Sequence, residues 1–130
     1  MGIAKNLWGD LPDIQDVRPP ALILREQATA LGELTKGVLS AYVDVSRQRD
    51  NISLELRITA PALADYEYVV LHAFHKMNMY PVFVRSNTET EPIECGDEAQ
   101  FESAIGAILQ SSSVRRAVAS LLAQSKATGQ

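Results

Sequence analysis

The segment LHAFHKMNMYPVF, residues 71–83, holds both histidines of the chain, His72 and His75, three positions apart. Two histidines share a metal ion readily when they sit four apart on a helix, where both rings reach one point. The neighbours here, Tyr66, Tyr68, Val69, Val70 and Phe74, are aromatic or β-branched and favour a strand. Successive strand side chains alternate, so His72 and His75 should face opposite sides of a sheet. A third ligand is hard to find, because the single cysteine lies elsewhere and no carboxylate has zinc-like spacing. No metal or other cofactor is expected. His72 by itself could move protons as an acid or base. Simple alternation puts Tyr66, Tyr68, Val70 and Phe74 on its face, so a pocket between sheet and helices near His72, Tyr66 and Tyr68 is one possible ligand or active site. The plainer alternative is a packed histidine at a sheet surface. His75, close to a turn, is expected to be solvated.

Other chemistry is thinly represented. Neither GxGxxG nor GxxxxGK[ST] occurs, and there is no GxSxG elbow. Cys95 precedes Gly96 and an expected helix start at Asp97, a location that lowers a thiol pKa. Glu94, Asp97 and Glu98 crowd it with negative charge and push the other way, which favours a half-buried structural thiol. Glycosidase-type carboxylate pairs need an enclosing cleft with sugar-stacking aromatics, and the single tryptophan, Trp8, lies far from the acidic run.

Charge is unevenly placed. From Glu89 to Glu102 there are six acids and no bases, and from Ser103 onward there are three bases and no acids. If a helix begins near Ser113, Arg115 and Arg116 fall in its first turn, where the helix dipole disfavours positive charge. Three arrangements would relieve this: pairing with the acidic 89–98 segment, an external anion, or a helix running unbroken from 97 to 125. Glu89, Glu91 and Glu94 could instead steer a protein partner, or form a solvated loop. Trp8 and Leu11, with Leu7, Ile14 and Val17, make an apolar N-terminal arm. That arm should fold back on the domain or dock on another chain, since five free apolar anchors would be poorly soluble.

The elements that must position these residues follow from hydrophobic period. Residues 1–20 carry three acids and three prolines without a sustained period and read as an extended arm. From residue 21 to Lys36, Leu24, Ala28, Leu31 and Leu34 share a helical face, and Gly37 suits a helix stop. The period then becomes two. SAYVDVSRQ (40–48) and NISLELRITA (51–60) read as a hairpin, the second with Ile52, Leu54, Leu56, Ile58 and Ala60 alternating against polar residues. YEYVVLHAFHK is a third strand and YPVFVRS a fourth, with Pro81 placing it at an edge or at its own start. EPIEC is a loop or short fifth strand. Asp97 and Gln100 have capping-box spacing before a helix with Phe101, Ile105 and Ile108 inward. Serines 111–113 then separate it from a last helix carrying Val114, Ala117 or Val118, Leu121 and Leu122. Residues 126–130 read as a frayed tail.

One apolar sheet face and three amphipathic helices predict an α+β two-layer sandwich: a helix, a four-stranded antiparallel meander with a short fifth strand possible, and two helices. Residues 21–125 form its single domain, in keeping with a length of 130. The lone cysteine cannot form an internal disulfide, the first residues lack an apolar signal region, and no window is apolar enough to span a membrane. A cytoplasmic protein is expected. Its net charge of −4, without a basic cluster, argues against nucleic acid. The composition and patterning point to a small acidic protein that binds another macromolecule, of immunity, antitoxin, chaperone or adaptor type, more than to an enzyme. The alternatives are a small-molecule-binding domain or enzyme with its pocket near His72, Tyr66 and Tyr68, and a homo-oligomer joined along a strand edge, a homodimer in its simplest form.

Overall fold

In a computed structural model, which describes residues 5–12 and 18–128, the period-two segments build one five-stranded antiparallel sheet in the order β1-β2-β3-β4-β5. The strands are β1 (Ser40–Gln48), β2 (Asn51–Ala60), β3 (Tyr66–Lys76), β4 (Val82–Ser86) and β5 (Ile93–Cys95). The helices are α1 (Pro20–Leu34), α2 (Glu98–Leu109) and α3 (Ser112–Thr128). The EPIEC segment thus supplies a true fifth strand, which leaves β4 internal to the sheet. A short 3-10 helix at Pro61–Leu63 joins β2 to β3.

Local chemistry explains the boundaries. Pro20 opens α1 where a missing N–H is harmless. At its end, Lys36 takes the left-handed conformation, and the Gly37 N–H reaches back to the Gly32 carbonyl at 2.9 Å. The Asp97 carboxylate caps the Gln100 N–H at 2.9 Å, while the Gln100 side chain accepts from the Gly96 N–H at 2.7 Å. Ser111 interrupts the last two helices, and its hydroxyl accepts from the Val114 N–H at 3.4 Å. Two separate helices exist, so an unbroken 97–125 helix is ruled out. The last helix continues through Thr128, so Lys126, Ala127 and Thr128 are helical and not a frayed tail.

Leu54, Leu56, Ile58 and Ala60 of β2 are buried, as the alternation requires, against Leu24, Ile23, Phe101, Ile105 and Leu121 from the three helices. The outward residues of β2 stay exposed or half-buried, and among the described residues no helix covers the second face of the sheet. One position departs from simple alternation. Leu56 pairs with Leu71 but Arg57 pairs with Val69, so Val70 is an extra, bulged residue. Val70 and Leu71 are both buried, and every side chain beyond the bulge changes face.

Candidate functional site

The bulge decides where the histidine lies. Tyr66 and Tyr68 pair with Ala60 and Ile58 and sit on the helix-covered side, where they line a shallow depression with Leu63, Ala117 and Leu121. His72 pairs with Glu55 and lies on the open side. A pocket shared by His72, Tyr66 and Tyr68 therefore does not form, because the extra residue between them reverses the alternation. His72 and His75 do face opposite sides. His75 is buried, not solvated: it lies beyond the bulge on the inward face between Ile52 and Val82, and its Nδ1 is 2.7 Å from the Lys76 carbonyl. Among the described residues no group of three potential metal ligands gathers.

The open side brings together residues that sequence spacing scattered. Arg57 lies at its centre, bonded to Glu55 and to Glu67 at 3.1 Å, with Asp44 at 3.7 Å. The Glu55 carboxylate also reaches the His72 Nδ1 at 3.1 Å. Glu55 and then Glu67 hold the guanidinium proton well beyond the ordinary arginine range. Tyr42 donates its hydroxyl to Glu67 at 2.9 Å, which raises the phenol above its usual pKa. Next to this charged row, Phe74 and Phe83 stack with ring centroids 5.5 Å apart and planes 14° from parallel. Phe74 is 39% exposed. The pair borders a depression of about 490 Å³ lined also by Asn51, Ser53, Lys76 and Pro81.

Part of the acidic run joins this surface. Glu94 pairs in register with Phe83, and Arg85 donates to the Glu89 carbonyl at 3.2 Å. Glu91 is exposed between them. The run does not neutralise Arg115 and Arg116. Its helical members, Glu98 and Glu102, go to Arg18 at 2.7 and 2.9 Å, and Arg18 also bonds Glu26. Arg18 stood in the arm, 80 and 84 residues from those partners, and no local pattern singled it out. Among the described residues Arg115 and Arg116 form no ion pair, so the expected pairing with the acidic 89–98 segment does not form; Glu98 of that segment goes to Arg18 instead.

Cys95 is fully buried, and burial first, then Asp97 and Glu94, push its thiol pKa up. That is an inert thiol, deeper than the half-buried position expected. Among the described residues of the arm, Leu7, Trp8 and Leu11 do not fold back on the domain: they are 84%, 81% and 69% exposed. Ile14 and Val17 lie outside the described residues. No helix among the described residues is long and apolar enough to cross a membrane. Comparison with protein-family models, with curated proteins and with solved structures finds no match in any of the three.

Proposed function

We propose that this protein acts by binding another protein on the open face of its sheet, as a cytoplasmic adaptor, chaperone, antitoxin or immunity protein would. The observation that carries this reading is the Phe74–Phe83 pair, an exposed aromatic stack set directly beside a preorganised row of charge. Aromatic anchors ringed by polar groups are the usual composition of an interface centre. Sheet alternation would ordinarily put polar residues there, and Ser53 opposite Phe74 follows that rule. Side chains held by Arg57 lose little further freedom on binding, which lowers the cost of association. With Asp44, Glu55, Glu67 and Glu94 against Arg57, Arg85 and Lys76, the face carries one more acid than base. It suits a partner presenting basic and apolar groups.

The test is a paired capture from the native host, using tagged wild type and Phe74→Ser, each first checked by a thermal melt. The reading expects a discrete partner retained by the wild type and lost by Phe74→Ser, with the melting temperature little changed. Identical captures from both proteins, or none from either, would overturn it.

A further inference from the structure

On the covered side of the sheet, α1 and α3 do not close over the core. Between them runs an apolar groove of about 370 Å³, floored by Leu56 and Ile58 and walled by Ala28, Leu31, Val118 and Leu122. Leu34, expected in the core, is 82% exposed at its rim, and Arg115 stands beside it. The same chain carries the exposed apolar side chains that such a groove lacks. Leu7, Trp8 and Leu11 project from the N-terminal arm, where the Trp8 N–H bonds the Asn6 side chain and Gly9 bends the chain at φ +68°.

The geometry points to reciprocal exchange: the arm of one copy seats Trp8 and its flanking leucines in the α1–α3 groove of a second copy. Size allows it, since small-molecule pockets that bury most of their occupant start near 300 Å³. Charge favours it. The arm carries three acids, Asp10, Asp13 and Asp16, and the groove mouth has Arg115 with Arg116 next along the helix, neither in an ion pair among the described residues. Acidic residues arriving at the first turn of α3 would offset the dipole penalty those arginines carry. A second copy is favoured over the chain's own arm because, among the described residues, Leu7, Trp8 and Leu11 are exposed and do not line the groove of their own chain. Two-fold exchange also repeats each contact, doubling the buried area without new sequence, and exchange of an identical segment is a low-cost route to a dimer. This inference goes beyond the open-face reading and uses none of its residues.

Trp8 is the only tryptophan, so its fluorescence reports its burial directly. The full chain is examined by sedimentation and by emission over a wide concentration range, beside Trp8→Phe, Trp8→Ala and Ala119→Glu. Ala119 is exposed on α3 and lines the groove, so its glutamate fills and repels without entering the core. The expected result is a wild-type mass that doubles with concentration as emission moves to the blue. Ala119→Glu and Trp8→Ala should remain monomeric, while Trp8→Phe should still dimerise. Blue emission at monomer mass would place the arm in its own groove and overturn exchange. A dimer surviving Trp8→Ala and Ala119→Glu would mean another interface, such as the β1 edge, and a monomer with red emission throughout would equally overturn it. Should Ala119→Glu fail to fold, Leu34→Glu at the exposed rim repeats the test.

Discussion

Cys95 and Tyr80 show how burial sets the chemistry of single residues. The folded chain holds the Cys95 proton more tightly than an unfolded chain, whose thiol titrates near about 8.5. The sign follows: this contribution to stability is complete below that pH and is lost as pH rises through it toward the higher folded value. Urea titrations from pH 7 to 10 should therefore show a steeper decline in wild type than in Cys95→Ala, and labelling by a thiol reagent at pH 7 should require unfolding. Tyr80 is a different case, with a buried hydroxyl that has no hydrogen-bond partner among the described residues. Burial, ahead of the nearby Glu98 and Glu102, raises its pKa. Removing an unsatisfied hydroxyl relieves a desolvation penalty of about 1–3 kcal/mol, partly offset by the small void it leaves. Tyr80→Phe should thus be neutral or up to about 1 kcal/mol more stable in denaturant unfolding. A clear loss would mean that the hydroxyl has a partner.

At the scale of elements, β2 is the strand on which the fold depends. Its inward residues belong to the single core cluster that takes side chains from all three helices, and Leu56 is 3% exposed. An aspartate there would place an unpaired charge in the core at a cost of several kcal/mol, against a total stability of roughly 5–15 kcal/mol. Leu56→Asp should give a non-cooperative melt, whereas Glu55→Gln, one residue away on the open face, should melt cooperatively. If both melt alike, the strand register is wrong. The β3 bulge has an equally local test. Deleting Val70 would restore plain alternation and turn either the Tyr66 end or the His72 end to the wrong face, so the deletion should unfold the chain.

Across the whole molecule, Arg18 ties the root of the arm and α1 to α2 through Glu26, Glu98 and Glu102. Arg18→Ala should lower the melting temperature, and the difference from wild type should shrink at 1 M salt, where exposed charges are screened within about 3 Å. Glu89, Glu91 and Glu94 behave differently, because none of them forms an ion pair among the described residues. Converting all three to glutamine should leave the melting temperature nearly unchanged. If the open face is the interface, the same change should slow association with the captured partner at low salt, since rim charges act mainly on the on-rate. Stopped-flow or surface-based kinetics at two ionic strengths would read this. An unchanged on-rate would confine recognition to the Phe74–Phe83 centre and its charged row.

Sequence alone determined the elements and their order, because period and capping are local. The alternation from Ile52 to Ala60, the Asp97–Gln100 cap and the Phe101, Ile105, Ile108 stripe each lie within one short window, and each appears in the structure. It also placed His72 and His75 on opposite faces, since an odd separation beyond the bulge does so in any strand. Tertiary structure decided the rest. Whether Tyr66 and Tyr68 share a face with His72 depends on one extra residue at Val70, and an insertion of one inverts a period of two without altering composition. Arg18's partners lie on α2, brought near by the packing of helices on a common sheet. Leu34 fits the helical stripe, yet α1 outruns the core it covers, so the last inward position opens onto a groove. The stack of Phe74 on Phe83 exists only once β3 pairs with β4. Patterns carried by neighbours along the chain are legible in sequence, while contacts between distant segments depend on a register that only the folded sheet supplies.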